Sequence, residues 1–356
     1  MSAATSGALA AEGNGMSALR VAILGLGMGA SHARAYREIE GVRVVAACDT
    51  DPARLAAFAR ENGVSVTSAD YREIVTRADV DVVSVCTPDH LHYEHCRLAL
   101  DCGKHVMCEK PMVTTLDDAR ELVQRVRSTG LAFAVGNVNR FVPHFSAVKR
   151  MVETGRLGDL FFVESDYIHD MRRVYQRTPW RIDARNPQNA WLGGAVHPVD
   201  LVRWIAGDVD EVMLYSNKCT SAPEFPLPDN YIATLKFRSG CLGKVWETSG
   251  IRRWPEHVVN LNAYGSMGTA MSNTLEMQIR AWLDPDMPGQ ADATVIPFVR
   301  TVGHPVRAEL EDFVDAIRGG RSPRVGVEDG AKTVATLVAG LRSSETGRPE
   351  RVEPID

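Results

Sequence analysis

The feature that most restricts this chain is a glycine-rich turn where one periodicity gives way to another. In "LRVAILGLGMGASHARAYREI" an apolar β-branched run, Val21 to Leu24, passes through Gly25-Leu26-Gly27-Met28-Gly29-Ala30 into a helical pattern. The pattern is G-x-G-x-x-A between strand and helix. Its first glycine permits a tight turn, its second lets backbone approach a pyrophosphate, and the small Ala30 lets the helix pack against the strand. Free N–H groups at the helix start then bind phosphate, helped by the macrodipole. A second run, "VRVVAACD", ends at Asp49, 22 residues beyond Gly27, near the spacing of a carboxylate that holds an adenosine ribose. A carboxylate there accepts from both ribose hydroxyls and repels a 2′-phosphate, so NAD is favoured over NADP. Arg54 is close enough in sequence to alter that preference.

The alternation continues through residue 140. "VDVVSVCTP" reads as a buried strand and "HLHYEHCRLALDCG" as a helix closing at Gly103. "HVMCEKPMVTT" is another strand ending in two charges and Pro111. Next come a helix from a Thr115 cap to a Gly130 stop, then "LAFAVGNVNRF" as a further strand. Repeated β-α units of this kind predict an α/β fold, a doubly wound parallel Rossmann sheet over residues 18–140. Ligands of such sheets bind beyond the carboxyl ends of the strands. Thr87-Pro88, Glu109-Lys110 and Asn137 all fall at those ends, which puts Lys110 at the mouth of a cofactor crevice. An ammonium there stabilises a developing alkoxide, and a nearby positive ring lowers its pKa toward proton-shuttling values.

Net charge is −5 with both signs interspersed, so nothing in it attracts nucleic acid or an anionic membrane. No run of about 18 apolar residues offers a membrane span. Seven cysteines occur, none in a CxxC pair, and Cys48, Cys86 and Cys108 fall inside expected strands; they read as reduced core thiols. Residues 1–17 lack a basic segment followed by an apolar one, and read as a disordered extension without a secretory signal. A cytoplasmic protein is expected.

"CTPDHLHYEHCRLALDCGKHVMCEKP" resembles the signature of the Gfo/Idh/MocA oxidoreductases, a family that includes glucose–fructose oxidoreductase and inositol dehydrogenases. The resemblance runs from about Leu19 to the final helices. It implies a second α/β domain, here residues 141–356, built on a large, mostly antiparallel open sheet, with homodimers or homotetramers formed through that sheet. It implies hydride transfer between nicotinamide and the carbinol carbon of a sugar or cyclitol. By this resemblance Lys110 of Glu-Lys-Pro is catalytic, and Gly25, Gly27, Met28, Gly29, Asp49, Thr87, Pro88, His90, His92, Glu109, Lys110 and Asn137 bind the cofactor. A metal reading of His90, His92 and His95 gives way to helix capping and NAD contact, so no metal is expected.

"NAWLGGAVHPVDLVRWIAGD" resembles the family's second motif, in which a glycine pair leads into a helix carrying histidine and, three positions on, aspartate. His197 is then the general base or acid beside Lys110. Asp200, on the same helical face, either fixes a substrate hydroxyl, orients the histidine, or pairs with Arg203. Many members carry aspartate four residues before the histidine; this chain has Gly193. "SDYIHDMRRVYQRTPWR" interleaves aromatic and polar groups, as a polyol pocket requires. Trp180 and Arg181 are its foremost substrate contacts, followed by His169. Three activities stay open: an NAD-dependent dehydrogenase of a sugar, glycoside or cyclitol; an NAD-recycling enzyme that cleaves glycosides through a transient keto-sugar; and a non-catalytic dinucleotide-binding regulator. Hairpins are expected at Ser239-Gly240 and Gly265–Gly268, and "PVRAELEDFVDAIRGG" reads as an amphipathic core helix that contributes nothing to the site.

Overall fold

The computed structural model describes residues 18–185, 188–219, 225–252, 257–283, 293–299 and 304–355. The expected disordered extension, residues 1–17, lies outside them. Strands β1 (Leu19–Leu24), β2 (Val42–Cys48), β3 (Val66–Ser68), β4 (Val82–Val85), β5 (His105–Cys108) and β6 (Phe133–Val135) form one sheet in the order β3-β2-β1-β4-β5-β6. Every pairing in it is parallel. Strand order reverses between β1 and β4, and the crevice opens at that switch point. The central strands are almost wholly apolar because helices cover both faces: Val21 to Leu24 and Val82 to Val85 are all buried, with Ser84 the one polar residue among them. The helix Leu116–Thr129 starts where Thr115 accepts the Asp118 N–H and stops at Gly130, whose φ is +66°.

The second sheet takes β7 (Leu160–Ile168), β8 (Val209–Asn217), β9 (Asn230–Phe237), β10 (Leu242–Thr248), β11 (Val258–Gly265), β12 (Gly268–Asn273), β13 (Gln278–Trp282), β14 (Thr294–Pro297) and β15 (Glu350–Arg351). Their order is β14-β13-β12-β11-β7-β10-β9-β8-β15, antiparallel except for the β10–β7 pair. Both expected hairpins are present, joining β9 to β10 and β11 to β12. One face packs on the helix Val196–Ala206, whose residues are buried almost without interruption. The long helix Val327–Thr346 touches both β8 and the helix Leu116–Thr129, and the helix Val306–Gly319 packs on Gly29–Tyr36 of the first sheet's layer.

Candidate active site

A crevice of about 930 Å³ runs from the glycine turn to the helix Val196–Ala206. At its adenosine end Gly25 has φ +82°, and a Cβ there would lie 2.6 Å from the Cys86 carbonyl oxygen. Gly27 faces open space, with nothing within 4 Å of where a Cβ would stand, so backbone can approach a ligand there. Close helix–strand packing belongs to Gly29, since a Cβ on it would meet Ile23 Cγ2 at 2.5 Å. Ala30, expected to play that part, is exposed. The helix axis is rotated so that position 29, one residue earlier, faces the strand.

Asp49 is buried directly after β2. Its Oδ2 accepts the Leu26 N–H of the glycine turn at 2.8 Å and its Oδ1 accepts the Asp51 N–H at 2.9 Å. Arg54 pairs with it at 3.2 Å and with Asp51 at 3.6 Å, so that cation is engaged by two carboxylates. The turn, the open Gly27 and this carboxylate fit a dinucleotide.

Thr87 and Pro88 line the crevice, as does His92, whose ring nitrogens lie 2.8 and 2.9 Å from the carbonyl oxygens of Pro111 and Thr87. His92 therefore ties the end of β4 to Pro111. His90 is off the crevice wall, with its ring 6.4 Å from that of Trp180. His95 sits 3.0 Å from the Thr87 hydroxyl. Among the described residues no group of three or more His, Cys, Asp or Glu is arranged to hold a metal ion.

Glu109 and Lys110 point opposite ways from the end of β5. Glu109 lies 3.0 Å from His32 Nε2, and His32 Nδ1 is 2.8 Å from the Ser84 hydroxyl. Burial alone would raise the Glu109 carboxyl; His32 and Lys110 outweigh it and hold the pKa down to about 2. Lys110 Nζ donates to the Gly193 carbonyl at 3.0 Å, a contact between the two sheets' layers. Burial lowers its pKa to about 8, Arg181 pushes the same way, and Glu109 with Asp89 opposes them. An amine in that range can exchange a proton near neutrality.

His197 also lines this end. Its Nδ1 is buried with no hydrogen-bond partner among the described residues, and Tyr167 stacks on the ring at 5.3 Å. Burial drives its pKa well down, and Lys110, His304, His257 and His169 add to the shift. His169 and His304 are likewise lowered by burial, each to about 4. These imidazoles are neutral at pH 7 and can accept a proton without first losing one.

Besides Gly29 and His90, the structure keeps Asp200 and Asn137 off the crevice wall. Asp200, read as a substrate or histidine contact, is 1% exposed and accepts from Arg140 Nε and Nη2 at 2.8 and 2.7 Å. Asn137, expected on the cofactor, donates to the same carboxylate at 2.9 Å. Arg203, the partner considered for Asp200, pairs with Asp208. The i, i+3 relation to His197 misled because this helix is buried on more than one face.

Within residues 165–181, Tyr167, His169, Tyr175, Trp180 and Arg181 reach the crevice, while Asp166, Asp170 and Arg172 do not. Strand alternation explains part of the division: Ser165 and Tyr167 face inward and Asp166 faces out, bonded to Lys244 and Asn260. Arg181 Nη1 donates to Gln188 Oε1, and Gln188 Nε2 donates to Asp89 at 2.7 Å. Gln188 also fills the space beside Gly193, where a Cβ would stand 2.7 Å from its Cδ. Asp89, Gln188, His304 and Glu309 were not singled out from the sequence. Glu309 sits in the helix read as core only; it is 3% exposed, lines the crevice and leaves Oε1 without a partner among the described residues. A carboxyl amid the apolar positions Val306, Leu310 and Phe313 was the available signal.

A glycine-turn crevice closed by a second domain that brings histidine opposite a strand-end lysine defines a two-domain, dinucleotide-dependent oxidoreductase. Residues 19–137 match the Gfo/Idh/MocA oxidoreductase family, NAD-binding Rossmann fold, and residues 149–353 match its C-terminal α/β domain. Inositol 2-dehydrogenase 1 of Saccharopolyspora erythraea is 28% identical over 344 residues, covering 95% of this chain and 97% of that protein. Inositol 2-dehydrogenase of Mycolicibacterium gilvum is 30% identical over 357 residues, 96% of this chain and 95% of that one. In fold, levoglucosan dehydrogenase in complex with NADH and levoglucosan is similar with a TM-score of 0.87 at 21% identity, covering 96% of this chain and 100% of that one. The chain belongs to the Gfo/Idh/MocA family of oxidoreductases, and NAD is its cofactor.

Proposed function

We propose that this enzyme oxidises a secondary hydroxyl of a sugar, glycoside or cyclitol, or reduces the matching ketone, with Lys110 and His197 handling the hydroxyl proton. The observation that carries the reading is their convergence: a β5-end lysine and a buried histidine of the second domain line one crevice. The names of the inositol and levoglucosan dehydrogenases support the substrate class. The chemistry that bound NAD would supply is acceptance or return of the hydride. Gly25, Gly27 and Met28 would cradle its phosphates and Asp49 would hold a ribose, while Lys110, fixed by the Gly193 carbonyl, donates to the substrate oxygen and stabilises alkoxide character. His197, neutral because it is buried, takes the proton or returns it. Trp180 offers a ring face to substrate C–H groups and Arg181 offers N–H donors.

The protein works in the cytoplasm, a reading supported by its seven cysteines, all free thiols; no described helix is long and apolar enough to cross a membrane. Homodimers or homotetramers form through the second sheet. Its outward face carries Trp282, Tyr264, Phe162 and Leu242 along one row of β13, β11, β7 and β10, with Trp246, Ile232 and Tyr215 along another. Leu242 and Tyr215 are 54% and 62% exposed, the kind of apolar surface that a partner covers. The direct test of the activity is a panel of sugars, glycosides and inositols with NAD, followed by absorbance of reduced nicotinamide. Formation of NADH with at least one polyol is expected; release of aglycone without net NADH would move the assignment to the glycoside-cleaving reading.

A further inference from the structure

The substrate end of the crevice holds two cations that lack carboxylate partners. Lys110 Nζ donates to a backbone carbonyl, Gly193 O, at 3.0 Å. Arg181 donates from Nε to the Thr178 hydroxyl at 3.1 Å and from Nη1 to the Gln188 amide oxygen, and its guanidinium lies 4.5 Å from the Trp180 ring centroid. All these partners are neutral. Among the described residues no ion pair is made by either side chain.

Asp89 and Glu109 offset these cations electrostatically, but both are already engaged. Asp89 accepts from Gln188 Nε2 at 2.7 Å and from the His90 N–H at 2.9 Å. Glu109 is turned to His32 at 3.0 Å. His169, His197 and His304 add no charge at pH 7, and burial together with Glu109 pushes the Glu309 carboxyl well above the usual carboxylate range. Nor can position 193 supply an acid, since Gln188 occupies the space its side chain would need. Oxidised nicotinamide brings one more positive charge. A partly buried cation without a counter-ion is costly unless a ligand completes it.

We propose that the physiological substrate is itself an acid: a polyhydroxylated sugar or cyclitol acid whose carboxylate is held by the Arg181 guanidinium while a secondary hydroxyl faces Lys110 and His197. Gln188 is the positioning residue, taking one edge of the guanidinium and tying it to Asp89, so that Nη2 remains for the ligand. With Nε and Nη1 already engaged, the donors on Nη2 match a singly charged carboxylate better than a phosphate, whose second charge Asp89 would repel. The substrate carbon loses its hydride to NAD and its hydroxyl proton to the protein; the carboxylate is unchanged throughout.

This inference rests on the dehydrogenase reading, and the test keeps the two separable by measuring binding apart from turnover. The protein–NADH complex would be titrated with matched pairs: D-glucuronate and D-glucose, D-galacturonate and D-galactose, D-gluconate and sorbitol, with glucose 6-phosphate as the phosphate arm. At least one acid is expected to bind about 10²-fold more tightly than its neutral partner. Arg181→Gln should erase that preference, with NADH affinity reporting the integrity of the fold. Arg181→Lys, which keeps charge but loses the guanidinium held by Thr178 and Gln188, should retain part of it. Neutral partners binding as well as their acids, glucose 6-phosphate outcompeting every carboxylate, or a preference that survives Arg181→Gln would each overturn the proposal. Acid-selective binding with no NADH formed from any compound would support the anion site and overturn the dehydrogenase reading instead.

Discussion

The two ends of the crevice are built by different means. At the adenosine end, Gly25 to Met28 and Asp49 are close in sequence, and the Leu26 N–H meets the Asp49 carboxylate across adjoining strands at 2.8 Å. At the substrate end, Lys110 meets the Gly193 carbonyl 83 residues away and Gln188 meets Asp89 99 residues away. Backbone geometry carries the first end and long-range side-chain contacts carry the second. A backbone site tolerates exchange of most side chains around it. A site of interlocking side chains depends on every partner.

That contrast can be broken from the substrate side first. Lys110→Ala should lower turnover by about 10²–10⁴-fold while NADH affinity, measured by fluorescence, stays near wild type. A variant that loses NADH affinity as well would show that the two ends are not separable. Arg140→Ala strips Asp200 of its cation between the two domains and should destabilise the chain by about 3–5 kcal/mol in urea unfolding. Arg54→Ala removes a pair whose arginine is 47% exposed, and should cost less than about 1 kcal/mol.

The pH dependence sharpens the comparison further. With its pKa lowered to about 8, Lys110 loses the ammonium that stabilises alkoxide as pH rises through that value. Turnover that depends on that ammonium should therefore be level below about pH 8 and fall by up to about tenfold per pH unit above it. Lys110→Ala should lack this inflection. At the adenosine end, Asp49→Ala should shift the NADP-to-NAD ratio of kcat/KM by about tenfold, the worth of one charge-assisted hydrogen bond.

The same contrast governs what could be read from the residues alone. The parallel sheet, the turn at Gly25, the Thr115 cap and the Gly130 stop were legible because each is written within a few consecutive residues. Lys110 and His197 were legible through motif resemblance, and the structure brings both to the crevice. Asp200 and Asn137 were not, because Asp200 accepts from both Asn137 and Arg140 across the two domains, and nothing local distinguishes a carboxylate turned to an interdomain arginine from one turned to a ligand. Gln188 was invisible for the same reason: its place beside Gly193 and Asp89 exists only after both domains pack. Glu309 left a trace, a carboxyl within an apolar helical face, that the core reading passed over. Ala30 was credited with the packing that Gly29 performs because a one-residue rotation of the helix cannot be seen in spacing.

The most direct test is a crystal structure of the ternary complex with NADH and a bound polyol. The reactive oxygen should lie within about 2.6–3.2 Å of both Lys110 Nζ and an imidazole nitrogen of His197, beside the nicotinamide ring. A nicotinamide seated away from these two side chains, or an oxygen reached by neither, would contradict the account.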